Sequence, residues 1–356
     1  MKISRRGFLI NTGVVLGNFI VRSNSLGLDS LVKEPFAQKT FPDAYYREGG
    51  LVMLPSHGTA YVASDFHGRV DDFKKWLDRT NLVSRIKNNE DVYGIQLGDV
   101  TDVKPGDPYA PKDGDLRIVN MIIELENELR NEKNRFIYLQ GNHESEDVRF
   151  YELIKKGLMP DDVKKRVLLE YNFVQKMTDA HSIFLKNLPV LAWGKNRTVY
   201  VHGGPSKKMR TPKDIIKQDE KVVRELQWNR PHLAFQYLGK DELERFGYDY
   251  NDVEAFLKKM DNATLLITGH TPTQLLPRVM VKDGVGFYGP HQVLLDTSYG
   301  TGKEGGKYLV IDLGKQYKDN TELRFDKEIM PLSPEARFML GARTLDMKVN
   351  VSHALL

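Results

Sequence analysis

The sequence predicts an α/β fold with a largely parallel core, on three observations. From Thr59 onward, short apolar runs alternate with longer segments of helical period, as expected of strands joined by crossover helices. Glycines and polar residues gather at the carboxyl ends of those apolar runs instead of being scattered through them. The chain of 356 residues, with 40% hydrophobic and 28% charged side chains, carries enough apolar material for one large buried core.

Taken in order, Thr59 to Ser64 reads as a strand, and Val70 to Ile86 as an amphipathic helix with Phe73, Trp76, Leu77 and Leu82 on one side. A strand at Val92 to Leu97, a helix from about Leu116 to Glu132 and a strand at Arg135 to Leu139 complete a β-α-β-α-β series. Two strand pairs follow, Leu191 to Trp193 with Thr198 to Val201, and Thr264 to Thr268 with Val293 to Asp296. Tyr308 to Leu313 closes the set. The resulting organisation is a lead-in over 31–58, one domain over 59–315 and a tail over 316–356. Polar, helical insertions at about 145–187 and 205–262 are expected to cap or flank a site. No repeat or low-complexity linker divides the chain.

Several function classes are excluded by composition. The chain has no cysteine, so disulfides, thiolate nucleophiles and zinc-cysteine sites are impossible, and a metal must be held by histidine, carboxylate or amide groups. The net charge of +4 is small, and the basic residues are interspersed with acids, so no nucleic-acid partner is expected. Ser4-Arg5-Arg6-Gly7-Phe8-Leu9-Ile10 is similar to a twin-arginine export signal, with cleavage expected between Ser23 and Ser30 and a signal segment of 1–30. The following apolar stretch is interrupted by Asn11, Thr12, Gly13, Gly17 and Asn18, which is too short a run to span a bilayer. The expectation is therefore an exported, periplasmic or extracytoplasmic protein with no stable membrane span after processing.

The polar residues at the strand ends carry the functional reading. Asp65 and His67 follow the first strand, Asp99 the second, Asn142 and His143 the third, His202 a fourth and His270 a fifth. In open α/β sheets the ligand crevice lies beyond the carboxyl ends of the strands, so these segments converge on one rim. Carboxylates and imidazoles bind manganese, iron and zinc, and one aspartate can bridge two ions. The other histidines, His57, His181, His232, His291 and His353, read as ordinary surface or core residues, with His232 and His291 the nearest to the site segments.

The blocks Asp65-Phe66-His67-Gly68, Gly98-Asp99-Val100-Thr101-Asp102, Gly141-Asn142-His143-Glu144, His202-Gly203-Gly204 and Gly269-His270 resemble, in this order, the calcineurin-like metallophosphoesterases. Within them they are similar to the phosphoprotein phosphatase branch, which includes serine/threonine protein phosphatases and symmetrical diadenosine tetraphosphatases. The resemblance implies an αββα sandwich of two central sheets with helical insertions. It implies two divalent or trivalent metal ions, manganese, iron or zinc, the first held by Asp65, His67 and Asp99 and the second by Asp99, Asn142, His202 and His270. Such a pair clamps phosphate oxygens and activates a bridging water for in-line attack. His143 is the implied acid for the leaving oxygen, with Asp102 orienting its ring and favouring the imidazolium.

Two departures stand beside these matches. Val103-Lys104 follows Asp102 where the family has arginine-glycine, and Gln140 precedes Gly141 where many members have arginine. Lys104 is a point-charge substitute that lacks the guanidinium fork. Arg230, in Leu226 to Pro231, and Tyr299, in Asp296 to Gly300, are the other phosphate-side candidates. The implied activity is metal-dependent hydrolysis of phosphomonoesters, on phosphoserine, phosphothreonine or phosphotyrosine in a protein or peptide. A diadenosine tetraphosphatase-like or other small-molecule phosphatase, and a metal-containing binding module without catalysis, remain open alternatives.

Overall fold

The computed structural model describes residues 45–237, 245–301 and 306–333; the expected export signal lies outside the described residues. Two sheets form its centre. The eight-stranded sheet runs, in spatial order, β1 (Tyr46–Glu48), β2 (Leu51–Leu54), β6 (Leu191–Gly194), β7 (Thr198–Val201), β10 (Leu265–Thr268), β13 (Gln292–Leu294), β12 (Val285–Tyr288) and β11 (Val281–Lys282). The five-stranded sheet runs β15 (Ile329–Pro331), β14 (Lys307–Asp312), β3 (Thr59–Ala63), β4 (Val92–Gln96) and β5 (Phe136–Tyr138).

Alternation along the strands builds the core between the sheets. On β3, Ala60 and Val62 face inward, and on β4 Tyr93 and Ile95 do, joined by Ile137, Leu309 and Ile311. From the opposite sheet come Val52, Leu54, Ala192, Tyr200, Ile267 and Val293. Each fully buried aliphatic side chain of this kind contributes about 1.5–3 kcal/mol over its exposed state. On the far side of the five-stranded sheet, Trp76 of α1 (Val70–Thr80) packs against Phe136 with ring centroids 6.0 Å apart. This is the expected α/β sandwich.

The parallel core is narrower than the sequence suggested. β3, β4 and β5 pair in parallel through crossovers that carry helices, and β7, β10 and β13, and β2 with β6, also pair in parallel. The outer pairs β1–β2, β11–β12, β12–β13, β14–β15 and β3–β14, and the β6–β7 hairpin, are antiparallel. The hairpin connections are too short for a crossover and permit only antiparallel return. Three stretches read without strands contribute to the sheets, β1 and β2 at one edge of the eight-stranded sheet, β11 and β12 at its other edge, and β15 at an edge of the five-stranded sheet. The single helix expected over 70–86 is two, α1 and α2 (Leu82–Lys87), because Asn81 takes a left-handed φ of 48° and closes the first helix. Asparagine tolerates that conformation better than most residues.

The first helical insertion contains α4 (Asn142–Lys155), α5 (Asp161–Glu170), α6 (Asn172–Lys176) and α7 (Asp179–Lys186). The second contains α8 (Pro212–Ile216), α9 (Glu220–Trp228), the paired two-residue strands β8 (Arg230–Pro231) and β9 (Gly247–Tyr248), and α10 (Tyr250–Lys259). α3 (Gly114–Leu129) completes the β4–β5 crossover.

Candidate active site

Every segment singled out at a strand end arrives at one place. Asp65 and His67 leave β3, Asp99 leaves β4, and Asn142 opens α4 just after β5. His202 and His270 follow β7 and β10 of the other sheet. Asp65, His67, Asp99, Asp102 and His270 all have left-handed φ angles, of 54°, 42°, 59°, 66° and 63°. Side chains there cost on the order of 1 kcal/mol or more each, and such strain concentrates at functional sites. The turns are held by contacts between blocks. His67 N–H donates to Asp99 O at 3.0 Å, and His270 N–H donates to the Asp65 carboxylate at 3.0 Å, which joins the two sheets.

Glycine makes the close approach possible at one position above all. Gly98 has φ 117°, and a Cβ there would lie 2.7 Å from the Gly141 Cα and 2.8 Å from His202 Nδ1. The β4 turn and the start of α4 therefore touch backbone to backbone.

Two ligand sets result. Asp65, His67 and Asp99 present donor atoms within 4.8 Å of one another, and so do Asp99, His202 and His270. Asp99 belongs to both sets. Asn142 Oδ1 lies 3.0 Å from His202 Nε2, beside the second set. The supporting hydrogen bonds suit metal binding. His67 Nδ1 faces Thr101 O at 3.0 Å and His202 Nδ1 faces Leu97 O at 3.1 Å, so each ring donates away from the site and turns Nε2 toward Asp99. All six residues are buried.

The electrostatics agree with that fit. Burial, aided by Asp99, pushes the Asp65 carboxyl up to about 6, against the pull of His202. Burial would raise Asp99 too, but the imidazoles of His202, His143 and His67 hold it well below the usual carboxylate range. His67 and His270 are driven well below the ordinary imidazole range, first by burial and then by the charges of Lys104 and Arg230 respectively. His202 is raised instead, Asp99 prevailing over burial, whereas the neutral imidazoles of His67 and His270 beside an ionised, shared carboxylate are the protonation states that cations need. The residues present fit a pair of metal ions.

His143, Asp102 and Lys104 border the first set, and donor atoms of His67, Asp102 and His143 also lie within 4.8 Å of one another. His143 Nδ1 is 3.1 Å from Asp102 Oδ2. Lys104 Nζ is 2.6 Å from the same oxygen and 3.1 Å from His143 Nε2. Asp102 favours the imidazolium, as the sequence suggested, but does not prevail. Burial and then Lys104 lower His143 to about 4, outweighing Asp102 and Asp99. Val103 explains the altered block, since its side chain packs beneath Gly68 while its neighbour Lys104 reaches into the site.

Tyr299 stacks edge-on against His67 with centroids 4.9 Å apart, and Lys104 Nζ sits 5.6 Å from its ring. On the side of the second set, Arg230 donates to His270 O, and its Nη2 lies 3.3 Å from His270 Nδ1. The three phosphate-side candidates thus flank the ligand sets from two directions. Among the described residues, His57, His181 and His291 do not join them, and His353 lies outside the described residues. His181 pairs with Asn120 at 2.9 Å, His291 with Thr264 O at 3.0 Å, and His57 is exposed.

Two residues shape the site in ways the sequence reading missed. Glu144 is buried and accepts backbone N–H bonds from Asp99, Val100, Thr101 and Gly141 at 2.8–3.2 Å. Its place three residues into α4, where a carboxylate reaches back to the helix start, was the available signal. Arg69 is buried after Gly68 and ties Asp107 to the Ser298 carbonyl, each at 2.8 Å, so it anchors the Tyr299 loop.

No curated protein matches the chain. A solved protein serine/threonine phosphatase from Saccharomyces cerevisiae, with similarity to human phosphatase PP5, is similar over 80% of this chain and 82% of its own. The identity is 15% and the TM-score 0.52, which shows a shared fold. A putative diadenosine tetraphosphatase has 14% identity over 74% of this chain and 97% of its own, with a TM-score of 0.42. The cold-active protein-tyrosine phosphatase of a psychrophilic Shewanella species has 15% identity over 76% and 78%, with a TM-score of 0.42. The family profile for calcineurin-like phosphoesterases matches residues 58–274, which include all five blocks up to Gly269-His270. With more than half of its length matched and the ligand sets assembled, the chain belongs to the calcineurin-like phosphoesterases and is a hydrolase of that class.

Proposed function

We propose that the protein hydrolyses phosphomonoesters, acting on phosphoserine, phosphothreonine or phosphotyrosine in a peptide or protein. The observation that carries this reading is the group Asp102, Lys104 and His143 set directly beside the two ligand sets. When bound, a pair of manganese, iron or zinc ions would supply charge to the phosphate oxygens and acidify a water. Asp65, His67 and Asp99 would hold one ion, and Asp99, Asn142, His202 and His270 the other.

The chain's own groups do the rest. Lys104 Nζ and His143 Nε2 face each other across 3.1 Å, both beside Asp102. A phosphate dianion brought between them adds negative charge, draws Lys104 toward itself and raises His143 from its depressed state. His143 then carries the proton that the leaving oxygen needs. Arg230 would receive the phosphate from the other side, and Tyr299 would restrict its edge. A pure binding module has no use for such an acid.

The test is a comparison of substrates on manganese-loaded protein. An aryl phosphate and phosphopeptides should be hydrolysed with kcat/KM above that for dinucleoside polyphosphates. A preference of tenfold or more for the dinucleoside substrate would instead establish the diadenosine tetraphosphatase-like alternative.

A further inference from the structure

The ring of His270 is held differently from the other two imidazoles of the ligand sets. His67 and His202 each direct Nδ1 to a backbone carbonyl and keep Nε2 for the site. His270 is reversed. Its Nε2 lies 3.2 Å from the Trp228 carbonyl oxygen, which can only accept, so Nε2 carries the proton and Nδ1 the lone pair. Nδ1 is therefore the atom that the second ligand set has to use. Facing that lone pair is Arg230, whose Nη2 stands 3.3 Å away.

Both contacts come from one short segment, Trp228 to Arg230. Its position is fixed by the pairing of β8 with β9 and by the Trp228 ring, set edge-on to His270 at 6.2 Å. Arg230 also donates from Nη1 to the His270 carbonyl, so one guanidinium grips His270 at both backbone and ring. The two grips differ in consequence. The carbonyl is no part of the ligand set, and its bond can persist as a pivot. The lone pair of Nδ1, by contrast, serves one partner at a time, an arginine N–H or a cation.

We propose that Arg230 and the second metal ion compete for His270 Nδ1, so that filling the second ligand set turns Arg230 Nη2 from the ring toward the phosphate. Arg230 is then a positioning residue for the ion as well as a phosphate contact. Linkage makes the effect reciprocal: a phosphate anion that draws Nη2 off Nδ1 also tightens the second ion. This inference rests on the phosphomonoesterase reading above.

The experiment titrates manganese calorimetrically into the wild type, Arg230→Met, His270→Ala and the double variant. The wild type should bind two ions. Arg230→Met should tighten one of them about tenfold, the scale of a lost charge-assisted hydrogen bond, and leave the other unchanged. Arg230→Lys, which keeps the charge without the fork, should move the same ion in the same direction by less. In the His270→Ala background, where no lone pair is contested, Arg230→Met should change no manganese affinity. Absence of tightening in Arg230→Met and Arg230→Lys overturns the competition. So does tightening that persists without His270, which would mark plain charge repulsion. Inorganic phosphate gives a second readout. Its affinity should depend on Arg230 more strongly at saturating manganese than in a chelator, and an equal dependence overturns the redirection of Nη2. Fewer than two ions in the wild type would overturn the two-metal assignment, and absence of aryl phosphate hydrolysis would overturn the phosphomonoesterase reading. Both results are distinct from failure of the competition.

Discussion

At the scale of single residues, the acid role of His143 makes a sharp prediction. His143→Asn should lower kcat for an aryl phosphate by about 10²- to 10⁴-fold while leaving two metals per chain by elemental analysis. Unchanged kcat would remove His143 from the chemistry. Glu146 offers a second test, on stability. It is buried, and burial, opposed by Arg149, pushes its carboxyl up to about 7 from an ordinary value of 4.5. The folded state therefore binds the proton more tightly than the unfolded chain. The stability this contributes is full below the ordinary carboxylate value and is lost as pH rises through about 7. Glu146→Gln should accordingly raise the melting temperature at pH 8 and not at pH 4, by an amount of about 2 kcal/mol or less. Parallel pH curves for the two proteins would refute it. The ligand candidates were legible because each is a carboxylate, amide or imidazole placed directly after a strand in a glycine turn. Glu144 and Arg69 were not, because their work is hydrogen bonding to backbone groups distant in sequence, which leaves no mark in residue type. That Lys104 outweighs Asp102 at His143 was equally hidden, since it depends on where Lys104 Nζ comes to rest.

At the scale of elements, the strands with crossover helices announced themselves through length and apolar period. β1, β2, β11, β12 and β15 did not, being two to four residues long at sheet margins. In such strands neighbouring chain supplies the order, and there is too little sequence for alternation to register. The break at Asn81 is the element whose sequence signal was weakest, and it can be tested. Asn81→Val forces a β-branched residue into a left-handed conformation and should destabilise the fold by about 1–2 kcal/mol in urea unfolding, whereas Asn81→Gly should be nearly neutral. Equal loss from both would show that the Asn81 side chain, not its backbone, matters. The contact between Gly98 and Gly141 is less forgiving. Gly98→Ala should cost about 1–3 kcal/mol and reduce metal content, because the added methyl pushes the β4 turn away from α4. Full metal loading in that variant would contradict the account.

At the scale of the whole molecule, cations bound to the buried ligand sets stabilise the folded state alone. With free metal about a thousandfold above its dissociation constant, each site adds about 4 kcal/mol. Removing manganese with a chelator should therefore lower the melting temperature by at least about 5 °C, reversibly on adding metal back. A melting temperature indifferent to the chelator would argue against occupied sites. Location is a separate matter. Changing Arg5 and Arg6 to lysine should retain the protein in the cytoplasm, and continued appearance outside it would count against the twin-arginine route proposed for the chain. No helix among the described residues is long and apolar enough to cross a membrane.

The hydrogen bond from His270 N–H to the Asp65 carboxylate runs from one sheet to the other, and Asp99 likewise faces His202 across that boundary. Asp65, His67 and Asp99 all follow strands of the five-stranded sheet, but the second set joins Asp99 to His202 and His270 of the other sheet, so it cannot be complete while the sheets are apart. Uptake of the second ion thus becomes an inspection of assembly: the chain passes only when both halves have docked in register, and a half-folded molecule cannot keep both ions.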